Sequence, residues 1–200
     1  MERNDARQLP PGAHGIPPAE VAHNQRERLV AAAAEACAER GYAETSVAEL
    51  AHLAGVSTAT FYKLFAGKCE CVLEAHRELA GRLLEEVDAA CAGEGEAKVR
   101  AAIHTVLALL AADPPTARLL TVEILALGPA GAERSDAAIG AFAARLRAAR
   151  DPDAAPSGPA HADWILVAGI AALIGRRVMA GEAARLPELE DELVALARAT

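Results

Sequence analysis

One short segment of this sequence carries side chains suited to contact nucleic acid. Residues 58–63 include Thr58, Ala59, Thr60, Tyr62 and Lys63, and none of the six is acidic. Hydroxyl and phenol groups can hydrogen-bond phosphates or base edges, a methyl group can touch a thymine methyl, and a lysine can pair with phosphate or guanine. We therefore predict that this segment faces DNA.

The lysine distribution supports a local basic patch in a chain that is otherwise acidic. The formal net charge is -8, from 20 basic and 28 acidic residues. Of the three lysines, Lys63 lies in the segment and Lys68 just after it, at the start of the next predicted helix, where backbone N–H groups favour an anion. Phosphate neutralisation needs Lys or Arg, so the overall charge argues against DNA binding and any contact must be local.

The segment is preceded by the pattern of a helix-turn-helix. Ser46 with Glu49 three residues later predicts a capping box, and Gly55 ends that helix. Ser57 can cap the next helix, on which Phe61 and Phe65 share one side, so the polar residues face outward. A simpler interpretation remains open, in which this is a solvated helix whose two phenylalanines alone matter.

The rest of the chain predicts an all-α fold. Hydrophobic residues make up 52% of the chain but aromatic residues only 3%, so the core must consist of aliphatic side chains. We predict three parts: a flexible arm at 1–17, a helix-turn-helix domain at 18–68, and a helical bundle at 69–200, for which the resemblance described next implies a regulatory role in ligand binding and dimerisation. Predicted helices after the motif span 67–91, 97–111, 115–127, 131–150, 160–180 and 186–198.

Around this motif the sequence resembles the tetracycline-repressor (TetR) family of bacterial regulators. The matching runs are Arg28 to Ala33, Glu39 to Tyr42, Thr45 to Ala51, and Ala54 to Tyr62, followed by Phe65 and Lys68. The resemblance implies a three-helix DNA-binding domain followed by a variable helical domain that binds a small ligand and dimerises.

The resemblance also assigns roles to individual positions. It implies phosphate contacts at Thr45, Ser46, Ser57, Thr60, Tyr62 and Lys68. It implies base contacts at Thr58, Ala59 and Lys63. Leu64 departs from the polar residue that is commoner at its position, which puts that one contact in doubt.

The candidates for the ligand pocket and the dimer interface come from the regulatory part. The pocket candidates among apolar neighbours are His76, His104, Glu123 and Phe142, although such polar groups more often face solvent or are satisfied in the core. The dimer candidates are Ile165, Ala168, Gly169, Ala172, Gly175, Leu189, Leu193 and Leu196. Bulky and small residues together permit close helix packing, but the same stripes could be internal core.

Several other functions find little support. We find no Walker A loop, HExxH or GxSxG motif, and we expect no catalytic group, metal or cofactor. Cys69 and Cys71 point to different sides of a helix, which disfavours a thiol or metal sensor. His161 and Asp163 fit helix capping better than catalysis. Arg3, Arg7 and Arg26 could reach a minor groove, but a solvated tail is the preferred interpretation.

Together these patterns predict a regulator without a membrane segment, located in the cytoplasm. The preferred function is a repressor that binds a palindromic double-stranded DNA operator as a homodimer and is released by a small-molecule effector. The alternative is a helical ligand-binding or enzymatic bundle whose helix-turn-helix is only a packing unit. An activator would use the same contacts.

Overall fold

The computed structural model describes residues 17–91, 95–150 and 161–199, and these residues form helices without a strand. The predicted all-α fold is confirmed. The α-helices are α1 (Pro18–Arg40), α2 (Val47–Leu53), α3 (Thr58–Leu64), α4 (Lys68–Ala90), α5 (Gly95–Ala112), α6 (Pro114–Thr121), α7 (Pro129–Arg150), α8 (Ala162–Met179) and α9 (Glu190–Ala199). Two 3-10 helices, η1 (Glu123–Leu127) and η2 (Ala183–Leu189), precede α7 and α9.

The first three helices form where the local signals predict them. Pro18 occupies the first turn of α1, and the chain leaves this helix at Gly41 with φ +86°, a conformation that favours glycine. The predicted capping box is present, since Ser46 Oγ accepts the Glu49 N–H and the Glu49 side chain accepts the Ser46 N–H. Helices α1, α2 and α3 close over buried Leu29, Leu50 and Phe61.

Helix α4 belongs to two hydrophobic cores. Its first half contributes Cys71, Val72 and Ala75 to the core of α1–α3, and its second half contributes Leu83 to the core of the regulatory helices. The first core also receives Leu119 from α6 and Ile124 and Leu127 from η1. We call the part built on the first core the head. On α4 its fully buried residues continue past residue 68, the boundary predicted from the sequence, as far as Ala75.

Two predicted helices are interrupted. The segment predicted as one helix over 115–127 turns into η1 at Val122, whose φ of -120° and ψ of -62° break the α-helix. The segment predicted over 186–198 begins as η2, which contains Pro187, before α9 starts. In the first case, the bend at η1 lets Ile124 and Leu127 enter the first core. In the second case, Pro187 lacks the N–H that an α-helix needs at that position.

Candidate nucleic-acid interface and internal cavity

Helix α3 presents the predicted polar face to solvent. Its apolar side is fully inserted in the head, with Phe61 at 0% and Phe65 at 2% exposure. On the opposite side Thr58, Ala59 and Lys63 are exposed and Tyr62 is 61% exposed, while Thr60 is half-buried. The Tyr62 ring meets the Phe61 ring edge-on, with 5.5 Å between centroids. This contact fixes the base of the tyrosine and leaves its hydroxyl outward.

Ser57 holds the start of α3. Its Oγ accepts the Thr60 N–H at 3.0 Å and lies 2.9 Å from Thr60 Oγ1. Whichever hydroxyl donates in that pair, the proton of the other one remains available to an anion. The helix N-terminus adds backbone N–H groups with no partner inside the helix. The phosphate contacts that the resemblance implies for Ser57 and Thr60 stay predictions.

Replacing Ser57 by alanine is expected to destabilise the protein by about 1 kcal/mol, because Thr60 N–H loses its acceptor. Glycine at the same position should cost only a few tenths of a kcal/mol. Urea unfolding of both variants measures the difference. Equal stability of Ser57→Ala and the unmodified chain would show that the cap is not formed in solution.

Ser46 is exposed at the start of α2, and its phosphate contact stays a prediction. Its oxygen caps the helix, as described above, which leaves its proton for an outside acceptor. Arg40 pairs with Glu49 beside it. The pair neutralises the acidic residue nearest to Ser46 on this helix, which keeps the local field favourable for an anion.

Thr45 was expected to touch phosphate, and the structure corrects this. The side chain is buried, and its hydroxyl donates to the Gly41 carbonyl at 2.9 Å. The threonine therefore shapes the loop between α1 and α2.

The ammonium of Lys68 is also turned inward, against its prediction as a phosphate or guanine contact. Nζ donates to the carbonyls of Tyr42 at 2.6 Å and Thr45 at 2.7 Å, and it lies 4.1 Å from the centre of the Tyr42 ring. Carbonyls and a ring face satisfy a cation at a half-buried position. Lys68 thus ties the α1–α2 loop to the start of α4.

Arg26 is likewise structural. Its guanidinium donates to the Leu64 carbonyl at 2.9 Å, pairs with Glu74 at 3.3 Å and stacks 4.2 Å from the centre of the Phe65 ring. It joins α1, α3 and α4 and is not free for a groove. Arg3 and Arg7, and all but the last residue of the predicted arm, lie outside the described residues.

Glu123, predicted as a pocket residue, does not line the cavity described below. Its buried carboxylate accepts the Tyr42 backbone N–H at 2.7 Å through Oε2 and the Arg118 guanidinium at 2.9 Å through Oε1. Oε2 also lies 3.2 Å from where a Cβ on Gly41 would stand. Glu123 of η1 and Lys68 of α4 therefore both bind the backbone of the α1–α2 loop. No local signal predicts this contact, because 81 residues separate Glu123 from Tyr42.

A cavity of about 130 Å³ lies among α4, α5, α6, α7 and α8. Its lining is mainly aliphatic and includes the predicted Phe142 and His76. His104 does not line it: this side chain is exposed, with Nδ1 2.8 Å from Glu190 Oε2. The other polar lining residues are Thr121, Ser135 and Arg145.

The predicted dimer residues divide into two groups. Ile165 is 61% and Leu196 50% exposed, and Gly169 and Ala172 are exposed while Ala168 is half-buried. Gly175, Leu189 and Leu193 are instead buried inside the subunit. The reason is direct contact: Gly175 packs on Thr121 of α6, and Leu189 and Leu193 belong to the regulatory core. The first group remains a candidate interface, and the second is corrected.

The remaining chemical candidates are structural within the described residues. Burial raises the pKa of the Cys71 thiol to about 12 and also raises that of Cys37, which disfavours their reactive thiolates. Asp163 is buried in the first turn of α8, and its carboxylate accepts from Arg147 at 2.7 Å. No group of three metal-ligating side chains and no helix able to cross a membrane occurs in the described part of the chain.

The sequence of the head matches a known family. The model for "Bacterial regulatory proteins, tetR family" matches residues 29–75. The match ends at Ala75, the last fully buried residue that α4 contributes to the first core. None of the curated proteins compared with the chain matches it.

Solved structures with the same fold cover most of the chain. A transcriptional regulator FadR from Bacillus subtilis, in complex with stearoyl-CoA, has a TM-score of 0.73 at 19% identity, over 86% of this chain and 96% of that one. A fatty acid degradation regulator FadR from Bacillus halodurans has a TM-score of 0.71 at 20% identity, over 86% and 94%. A transcriptional regulator from Rhodococcus sp. has a TM-score of 0.67 at 26% identity, over 87% and 94%.

Proposed function

We propose that this chain, a tetR-family transcriptional regulator, is a repressor that binds a palindromic operator as a homodimer and leaves it when a small molecule occupies the cavity. The single observation that carries the proposal is the exposed, acid-free face of α3 on a head whose sequence matches the family. In an acidic protein such a face favours one negatively charged partner.

The recognition contacts follow from the exposed residues. Thr58, Ala59 and Lys63 face outward where they would reach base edges, and Ser46, Ser57, Thr60 and Tyr62 offer hydroxyl groups to phosphates. Phosphate contacts fix the position of the helix, and base contacts select the sequence. Lys68, Thr45 and Arg26 hold the head together from within.

The cavity supports a small-molecule effector. It lies in the regulatory part, and the relative from B. subtilis was solved in complex with stearoyl-CoA, so a protein of this fold can bind a ligand with a long acyl chain. Concave, mostly apolar sites with a few polar groups are typical ligand sites.

Two connections can carry the signal from the cavity to the head. Helix α4 packs in the head with residues 71–75 and contributes lining residues to the cavity from 76 to 87. Glu123 holds the α1–α2 loop from the regulatory side. A ligand releases DNA only if it binds the two conformers of the dimer with different affinity. Our proposal is that movement of α4 and η1 changes the spacing of the two heads.

The test is footprinting of the DNA upstream of the native gene with the purified full chain at moderate salt. We expect protection of a palindrome whose half-sites lie about one helical turn, ~34 Å, or a multiple of it apart. Absence of any protected palindrome would refute the proposal.

The dimer interface can be tested at Ile165. Replacing it by glutamate places a charge on the exposed face of α8, and we expect the dimer to weaken at least about 10-fold. Leu125→Glu is the matched control, because Leu125 is 57% exposed on η1, outside the candidate face. Sedimentation equilibrium measures both variants. Equal dissociation of the two variants, or none in either, would exclude this face.

A further inference from the structure

One residue that lines the cavity carries a buried polar atom without a partner in the described part of the chain. His76 lines the cavity and is 1% exposed, and its Nδ1 has no hydrogen-bond partner in the described structure. A buried acceptor or donor left unpaired costs about 1–3 kcal/mol, so native proteins rarely retain one without a reason. This atom marks where a ligand would be held.

The hydrogen-bonding role of Nδ1 follows from the other nitrogen. His76 makes a hydrogen bond to the backbone of Leu120. The Leu120 carbonyl can only accept, so one ring nitrogen donates to it, and we assign this donor to Nε2 because Nδ1 has no partner in the described structure. In a neutral imidazole whose Nε2 carries the proton, Nδ1 is an acceptor.

The surroundings keep the ring neutral. Burial lowers the pKa of His76, the Leu120 hydrogen bond opposes this in part, and the charge of Arg134 adds to the lowering, so that the pKa lies at about 4. A cationic ring that could pair with a carboxylate is therefore disfavoured at neutral pH.

Among the polar residues of the lining, Thr121 and Arg145 already have hydrogen-bond partners, so His76 is the preferred contact for a ligand. Thr121 Oγ1 donates to the Ala117 carbonyl at 2.7 Å. Arg145 donates to Asp88 at 3.0 Å and to the Ala141 carbonyl at 3.4 Å, so an existing carboxylate already occupies it. Ser135 is a half-buried hydroxyl that can turn to donate or accept.

From this arrangement we propose that the effector is a neutral, largely apolar compound that donates one hydrogen bond, from a hydroxyl or N–H group, to His76 Nδ1. This deepens the proposed function and rests on it. The cavity of about 130 Å³ sets the size of the enclosed part. An apolar cavity of about 150 Å³ holds benzene, so the enclosed group is about the size of a substituted phenol.

The test is calorimetric titration of the full chain, without DNA, with three matched probes. 4-Ethylphenol offers a donor, 4-ethylanisole has the same body with an acceptor only, and ethylbenzene has neither. We expect 4-ethylphenol to bind at least about 10-fold more tightly than either of the others, the difference that one unsatisfied buried acceptor produces. Equal affinity for the three probes, or no binding of 4-ethylphenol, overturns the proposal.

Variants of His76 identify the atom responsible. His76→Leu is expected to lose the preference for 4-ethylphenol while still binding ethylbenzene, and His76→Gln, which keeps an acceptor, should retain part of the preference. Thermal melts confirm that each variant is folded. A preference that survives in a folded His76→Leu protein assigns the donor contact elsewhere and contradicts the proposal.

Addition of 4-ethylphenol to the operator complex separates this inference from the proposed function. Donor-selective binding without release of DNA would support the cavity assignment and refute release by its occupation. Failure of donor selectivity in a protein that still protects its operator would refute the cavity assignment alone.

Discussion

Replacing Thr60 and Lys63 together by alanine is expected to weaken operator binding by about 2–4 kcal/mol, roughly 30- to 1,000-fold. The dimer would present each residue twice, and individual contacts to bases and phosphates contribute about 1 kcal/mol or more. Lys63 is exposed on α3, and Thr60 stands beside it at the helix start. Fluorescence anisotropy with labelled operator at fixed salt measures the loss.

The salt dependence gives a second measurement on the same variant. If Lys63 contacts a phosphate in each head, its loss should reduce the steepness of log affinity against log salt by about 2 for the dimer. If it contacts a guanine instead, its loss should relax the preference for guanine at one position of each half-site. The slope therefore tells whether Lys63 meets the backbone or a base.

The control for charge is Arg82→Ala. Arg82 is an exposed residue of α4 that pairs with Glu78, outside the head. The substitution removes one positive charge per subunit, and we expect the operator affinity to stay within about twofold of that of the unmodified chain. If the Thr60 and Lys63 double variant folds, dimerises and binds DNA unchanged, the helix-turn-helix is only a packing unit. The alternative of a helical ligand-binding or enzymatic bundle then stands.

Replacing Glu123 by alanine is expected to lower the free energy of unfolding by about 3 kcal/mol. The substitution leaves the Tyr42 N–H without its acceptor at 2.7 Å and Arg118 without its partner. This loss lies at the low end of the range for breaking a buried ion pair, because the Arg118 side chain is 40% exposed and water can replace part of its interaction. Urea unfolding monitored by circular dichroism measures the change.

Two variants make this test specific. Glu123→Gln keeps a carbonyl oxygen for the Tyr42 N–H and should recover about half of the loss, because only the charged part is removed. Glu133→Ala removes an exposed carboxylate of α7 and should stay within about 0.5 kcal/mol of the unmodified chain. A change of similar size in Glu123→Ala and Glu133→Ala would show that the carboxylate does not hold the loop.

The Glu123 variants also address the path of the signal. If η1 transmits the state of the cavity through the α1–α2 loop, Glu123→Ala should bind DNA more weakly and respond less to a cavity ligand. Anisotropy titrations with and without 4-ethylphenol compare the two responses. An unchanged ratio of the two DNA affinities would show that the Glu123 contact does not carry the signal from the cavity to the head.

Local chemistry was sufficient to predict the head from the sequence. The capping box at Ser46, the glycines at the helix ends and the pair Phe61 and Phe65 all act within a few residues, so their spacing predicts the turn and the exposed face of α3. The all-helical class follows in the same way from composition and periodicity. These features depend on neighbouring residues, which a sequence displays directly.

Only the tertiary structure decided which polar side chains are available. Ser57 and Lys63 face outward from α3 as predicted, while Thr45 and Lys68 turn inward, because the loop carbonyls of residues 41–45 need donors that helix geometry does not provide. Gly175, Leu189 and Leu193 likewise became core because other helices cover them.

The pocket candidates show the same division most clearly. His76 and Phe142 meet at one cavity, while Glu123 serves a loop 81 residues away and His104 faces solvent beside Glu190. All four are polar or aromatic residues among apolar neighbours in the sequence. What separates them is which helix lies opposite, and that depends on how α4 to α8 pack together. The sequence alone thus determined the acid-free face for DNA, and the tertiary structure decided which side chains could meet a ligand.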